Sequence, residues 1–124
     1  MKETTKQIGD FGEDIAEKHL KKRFWRIISR NFKAHGGEID IIVRDRKYLV
    51  FAEVKCRKKG SIVAASEAVD IIKQQRIIHT AQMFIAASGG QYSELQPRFD
   101  VITLEQNKEG QIKFAEHIKN AFTL

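Results

Sequence analysis

Two apolar, β-branched runs, 38–44 and 48–57, stand on either side of the polar stretch Asp45-Arg46-Lys47, and together they limit the folds open to the chain. Such runs around so short a break predict a β-hairpin. In the second run Leu49, Phe51, Glu53 and Lys55 share one face, and Tyr48, Val50, Ala52, Val54 and Cys56 share the other. Both faces begin apolar, which predicts an interior strand covered on two sides. In the first run Ile39, Ile41 and Val43 share a face, and Glu38, Asp40, Ile42 and Arg44 share the opposite one. Asp40, Glu53 and Lys55 therefore stand where a buried hairpin would carry apolar residues.

Register decides whether these three meet. A four-residue loop, Asp45 to Tyr48, pairs Arg44 with Leu49 and Ile42 with Phe51. Asp40 then lies opposite Glu53 on one face, with Cβ atoms roughly 4.5–5.5 Å apart. A three-residue loop sets Asp40 opposite Ala52 and turns Glu53 to the other face. The sequence allows both. In the first register the two carboxylates repel and one pKa rises unless a cation lies between them. Relief of that repulsion is expected to make Glu53→Gln stabilising in the metal-free protein.

That register has a chemical consequence. Asp40, Glu53 and the Val54 carbonyl form a hard-oxygen site suited to Mg²⁺ or Mn²⁺. Lys55 projects beside it, where an ammonium can orient or help deprotonate an attacking water and offset charge growing on a phosphate. Glu13, on the first helix, is placed to supply a further carboxylate. These are the parts needed to hydrolyse a nucleic-acid backbone. Asp45-Arg46-Lys47 has the same acid-x-Lys spacing but falls in the hairpin turn.

The rest of the chain supplies the frame. Ile8 to Arg23 reads as a helix with Phe11, Ile15, Ala16, His19 and Leu20 inward. Trp25 to Phe32 reads as a strand, ended by His35-Gly36-Gly37. After a loop over 58–69, Asp70 caps a helix to about Ala87, with Ile71, Ile78, Ala81 and Ile85 toward the core and Lys73 and Arg76 on another side. Ser88-Gly89-Gly90 closes that helix, and Pro97 precedes a strand from Arg98 to Leu104. A turn over 107–110 leads to a last strand around 111–118. The order α-β-β-β-α-β-β predicts one α/β domain over residues 1–124, a mixed β-sheet flanked by helices.

Composition narrows the function. No apolar run approaches a membrane span, and the first residues lack the apolar centre of a secretory signal, so a cytoplasmic protein without membrane contact is expected. A single cysteine, Cys56, excludes an internal disulfide and any cysteine-based zinc cluster, and it reads as buried packing. The four histidines have no zinc-ligand spacing. Trp25 reads as a core aromatic and Asp100 as structural. With 22 Lys and Arg against 16 Asp and Glu, the net charge is +6, which fits a polyanionic partner. Arg57, Lys58, Lys59, Lys73 and Arg76 are the candidate phosphate contacts.

Several short motifs also carry a resemblance. Gly12-Glu13, Arg30-Asn31, Gly37-Glu38-Ile39-Asp40-Ile41-Ile42, Phe51-Ala52-Glu53-Val54-Lys55-Cys56-Arg57, Lys73-Gln74, Arg76-Ile77, Arg98-Phe99-Asp100-Val101 and Asn120-Ala121-Phe122 resemble the YraN-like family of small bacterial proteins. The resemblance spans almost the whole chain. It implies a restriction-endonuclease-like fold near the archaeal Holliday-junction resolvases. In the PD-(D/E)-x-K pattern of that superfamily, Asp40, Glu53 and Lys55 match the signature and Glu13 the helix acid, while Ile39 stands in place of the proline. The expected function is Mg²⁺-dependent cleavage of phosphodiester bonds in DNA, branched or single-stranded. A non-catalytic nucleic-acid-binding module of the same fold is the alternative. Resolvase-like cutting implies a homodimer, because two strands need two sites.

Overall fold

A computed structural model describes residues 5–59 and 69–123. Its elements are α1 (Thr5–Lys22), β1 (Arg26–Ala34), β2 (Gly37–Asp45), β3 (Tyr48–Lys58), α2 (Ile71–Ala87), β4 (Gln96–Gln106) and β5 (Ile112–Phe122). This is the expected order of helices and strands. The strands form one sheet in the spatial order β1-β2-β3-β4-β5. β3 and β4 pair in parallel and every other neighbouring pair is antiparallel, so the sheet is mixed. A parallel pair needs a crossover, and α2 provides it.

The two helices cover opposite faces. Ala16 and Leu20 of α1 pack on Ile41, Val43, Val50, Ala52, Ile102 and Leu104. Ile77 and Ala81 of α2 pack on Ile42, Leu49, Phe51, Phe99 and Val101. β3 alternates between the two clusters and is apolar on both faces, as the sequence pattern requires of a central strand. At about 25 cal/mol per Å², each large side chain buried there contributes roughly 1.5–3 kcal/mol.

Three burial assignments and one shared face are corrected. Phe11 is 52% exposed, because α1 turns Gly12, Glu13, Ala16 and Leu20 toward the sheet. Gly12 lies so close that a Cβ there would stand 2.9 Å from Leu104 Cδ1. Ile71 is exposed, and α2 instead buries Ile77, Thr80 and Ala81. Ile39 packs in the α2 cluster, apart from Ile41 and Val43. Cys56 is exposed, since β3 runs past the core before it ends. In the expected loop, Lys58 belongs to β3 and Val69 is buried, while 60–68 lie outside the described residues.

Caps hold where the sequence places them. The Asp70 carboxylate accepts a hydrogen bond from the Lys73 amide at 2.8 Å. Ser88 closes α2, and Gly89 and Gly90 follow with positive φ. Trp25 is a buried core aromatic.

Candidate active site

The β2–β3 register is the one that brings the acids together. Ile41 pairs with Ala52, Ile42 with Phe51, Val43 with Val50, Arg44 with Leu49 and Asp45 with Tyr48. The turn proper is thus two residues, Arg46 and Lys47, with Arg46 at φ 54°. One step beyond Ile41 and Ala52 the ladder stops, and Asp40 and Glu53 stand opposite each other at the fork. Asp40 takes over the missing ladder bond, since its Oδ2 accepts from the Val54 amide at 2.8 Å. Val54 thus meets Asp40 through its N–H.

Burial first, then repulsion by Glu53, raises the Asp40 carboxyl to about 8, although the Val54 N–H opposes the shift. A hydrogen bond with Glu53 and the more distant charge of Glu13 push the same way. Glu53 itself is 5% exposed, and two lysines attend it. Lys73 Nζ lies 2.6 Å from Glu53 Oε1, and Lys55 Nζ lies 3.9 Å from the same oxygen. Burial and then the neighbouring Lys73 lower the Lys55 ammonium, against the pull of Glu53 and Asp40. Burial alone would lower Lys73 too, yet its bonds to Glu53 and Lys55 outweigh that and raise it.

Glu13 reaches the same fork from α1. It lines a cleft of about 230 Å³ with Asp40, Glu53, Lys55 and Lys73. Arg30 of β1 holds it, with Nε 3.4 Å from Glu13 Oε1 and Nη1 2.7 Å from Asp14 Oδ1. Among the described residues, no three His, Cys, Asp or Glu side chains form a ready-made metal cage. The donor set nevertheless fits a hard divalent cation. The Asp40 carboxyl is raised beside Glu53, and an ammonium already sits on Glu53, in the place a cation would take.

The basic candidates divide. Lys73 belongs to the acid site. Arg76 is exposed and lines a wider cavity of about 440 Å³ with Asp40, Glu53, Gly37 and Lys73. Arg57 lies 3.7 Å from Glu105, at the far end of β3. Lys58 and Lys59 are exposed beside Gln106 and Lys108 around a separate concavity, away from the acids. The residue chemistry alone missed Arg30, whose one signal was its place in the Arg30-Asn31 motif. It also left Asp100 without its partners. That carboxylate is fully buried and takes both Nε and Nη2 of Arg98 at 2.9 Å, His117 Nε2 at 2.9 Å and the Asn120 amide at 3.0 Å. Burial would raise its pKa, but these partners outweigh burial and lower it.

Fold and site together define a class: an α/β domain with a mixed five-stranded sheet, a helix on each face, and a carboxylate–lysine cluster where the central hairpin forks. Residues 12–104 match the model of the uncharacterised protein family UPF0102, and the chain belongs to that family. It is 42% identical over 124 residues to the UPF0102 protein TTE1452 of Caldanaerobacter subterraneus subsp. tengcongensis, covering 98% of this chain and all of that one. It is 38% identical over 105 residues to the UPF0102 protein YraN of Salmonella arizonae, covering 85% of this chain and 80% of that one. Among solved structures it resembles SfsA of Pyrococcus furiosus in complex with Ca²⁺, with a TM-score of 0.44 and 17% identity. That likeness covers 92% of this chain, which spans 64% of the other. No helix among the described residues is long and apolar enough to cross a membrane.

Proposed function

We propose that this protein is a metal-dependent nuclease that hydrolyses phosphodiester bonds of DNA. The observation that carries the reading is the opposition of Asp40 and Glu53 at the fork, with Lys55 on the same carboxylate. Asp40 and Glu53 would hold Mg²⁺ or Mn²⁺, with the Val54 carbonyl as a third oxygen. When bound, such a cation supplies Lewis acidity at the phosphoryl group.

The chain's own groups do the rest. The lowered pKa of Lys55 leaves more of it as neutral amine than a solvated lysine has, and that Nζ can take a proton from the attacking water. Lys73 balances Glu53 and is placed to pair with a phosphate oxygen once Glu53 turns to another ligand. Arg30 keeps Glu13 at the cleft. Arg76 lies along the wider cavity where the substrate backbone would run. A DNA substrate fits a cytoplasmic protein, and cutting both strands of a junction calls for two copies.

A second reading has its own observation. Lys73 already neutralises Glu53, which suits a module that binds nucleic acid without turnover. Labelled single-stranded, duplex, flap and four-way-junction DNA, incubated with Mg²⁺, Mn²⁺ or EDTA, separates the two. Nuclease action is expected to need metal and to fall at least about a hundredfold in Asp40→Asn and Lys55→Ala. Cleavage at equal rate by Asp40→Asn would refute the assignment. Salt-dependent binding with no cutting on any substrate supports the non-catalytic module.

A further inference from the structure

A second concavity, of about 790 Å³, opens at the other end of the hairpin around the Arg46-Lys47 turn. At 3.3–3.4 Å per residue, the five steps from Tyr48 to Glu53 separate it from the acids by about 17 Å. Arg23, Arg44, Arg46, Lys47, Arg98 and Lys119 line it. Asp45 is the only carboxylate among the lining residues, and Arg98 Nη1 holds it at 2.9 Å. Of the other cations, Arg23, Lys47 and Lys119 lie over aromatic rings, and Arg44 and Arg46 are exposed, with Arg44 Nε donating to the Arg46 carbonyl at 3.1 Å. Trp25 is the buried floor, with Arg23, Arg98 and Lys119 within 5.1–5.7 Å of its ring centre.

Phe24 makes this more than a charged surface. It is 95% exposed and has φ 63°, a conformation that bulky residues rarely adopt. The helix end explains the backbone. The Phe24 amide bonds Lys21 O at 3.0 Å and the Trp25 amide bonds Leu20 O at 3.3 Å, so a left-handed residue must stand at this cap. It does not explain the side chain, since glycine would meet the same need without strain. An aromatic ring is instead held out in water at the rim of a cationic concavity.

We propose that this concavity is a single-stranded nucleic-acid site, separate from the acid site. Phosphates lie against Arg44, Arg46 and Lys47, and one unpaired base stacks on Phe24. Cations along a concave path with an exposed ring at its edge are the elements of such sites. An anionic membrane surface is the competing partner. It favours a convex apolar patch, whereas here the one protruding ring borders a hollow.

The test uses the full chain in EDTA, so that its outcome does not depend on cleavage. Anisotropy is read with labelled oligo(dT) and with an abasic strand of equal length, across a range of salt. Arg46→Glu with Lys47→Glu should weaken both strands about tenfold or more and flatten the salt dependence. Phe24→Gly should weaken oligo(dT) roughly fivefold or more, leave the abasic strand unchanged, and raise the melting temperature. A weakened variant that is more stable cannot owe its loss to misfolding. Oligo(dT) binding unchanged in both variants overturns the proposal. So does equal weakening of both strands by Phe24→Gly, or sedimentation with phosphatidylglycerol vesicles that needs Phe24 while oligo(dT) binding does not.

Discussion

Asp40 holds a proton at neutral pH that the unfolded chain gives up near pH 4. Its carboxyl is raised from 3.8 to about 8 in the fold. Between those values the unfolded state binds fewer protons, so stability falls as pH rises from about 4 to 8. Asp40→Asn should remove most of that slope in EDTA. Near pH 8 the variant should be more stable by an amount on the order of 1–3 kcal/mol. Urea unfolding across that pH range reads both effects, and an unchanged slope would show that Asp40 is ordinarily ionised. Glu53→Gln is another matter. The sequence suggested relief of repulsion, but Lys73 Nζ lies 2.6 Å from Glu53, so the substitution leaves a half-buried ammonium with a weaker partner. A net loss of stability is now expected. The facing of Asp40 and Glu53 was legible in strand alternation once a register was chosen. The place of Lys73 was not, because it depends on where α2 docks, 20 residues away in sequence.

The elements that frame the site meet closely at Gly37. A Cβ there would collide with Thr80 Oγ1 and stand 3.2 Å from the Arg76 carbonyl, so β2 and α2 touch backbone to helix. Gly37→Ala should destabilise by about 1–3 kcal/mol through overpacking. It should also lower any cleavage, because Lys73 and Arg76 ride on the helix that must shift. Thermal unfolding with the cleavage assay checks both; a variant as stable as the parent would mean that α2 yields at no cost. Caps and strand cores could be read from local chemistry, as Asp70 and the alternation of β3 show. Facing of the helices was read less well. Phe11 stands beside Gly12, which meets Leu104, but on a side of α1 turned away from the sheet, and Ile71 is the first residue of α2; periodicity alone does not say which side of a helix faces the sheet or where its packed part begins.

On the scale of the whole molecule, the parallel β3–β4 pair joins two stretches separated by α2, and the Arg98 network fastens that join. Arg98 on β4 bridges Asp45 of β2 and Asp100 of its own strand, while Asp100 reaches His117 and the Asn120 amide of β5. Arg98→Met would leave a fully buried carboxylate short of its strongest partner, at a cost of about 3–5 kcal/mol. Because Asp100 is held below the usual range, its contribution is present above the unfolded pKa and is lost as pH falls through the folded value. The variant should therefore lose part of the parent's sensitivity to acid, as measured by unfolding below pH 5. The sequence marked Arg98 and Asp100 as a motif but gave no hint of a network, since its members lie on three strands and meet only when the sheet assembles.

The ammonium of Lys73 on Glu53 has a last consequence, for how the protein meets its environment. Many small metal-binding domains unfold in chelator because the binding free energy of the ion is part of their folding free energy. Here the chain brings its own counter-ion, on α2, to Glu53. If the site takes a divalent cation as proposed, loading is an exchange, in which the incoming cation has to displace a tethered lysine and the Asp40 proton. Tethering also keeps that competitor at constant local concentration however dilute the protein becomes. Occupancy would follow the free divalent ion across a threshold set by the chain itself.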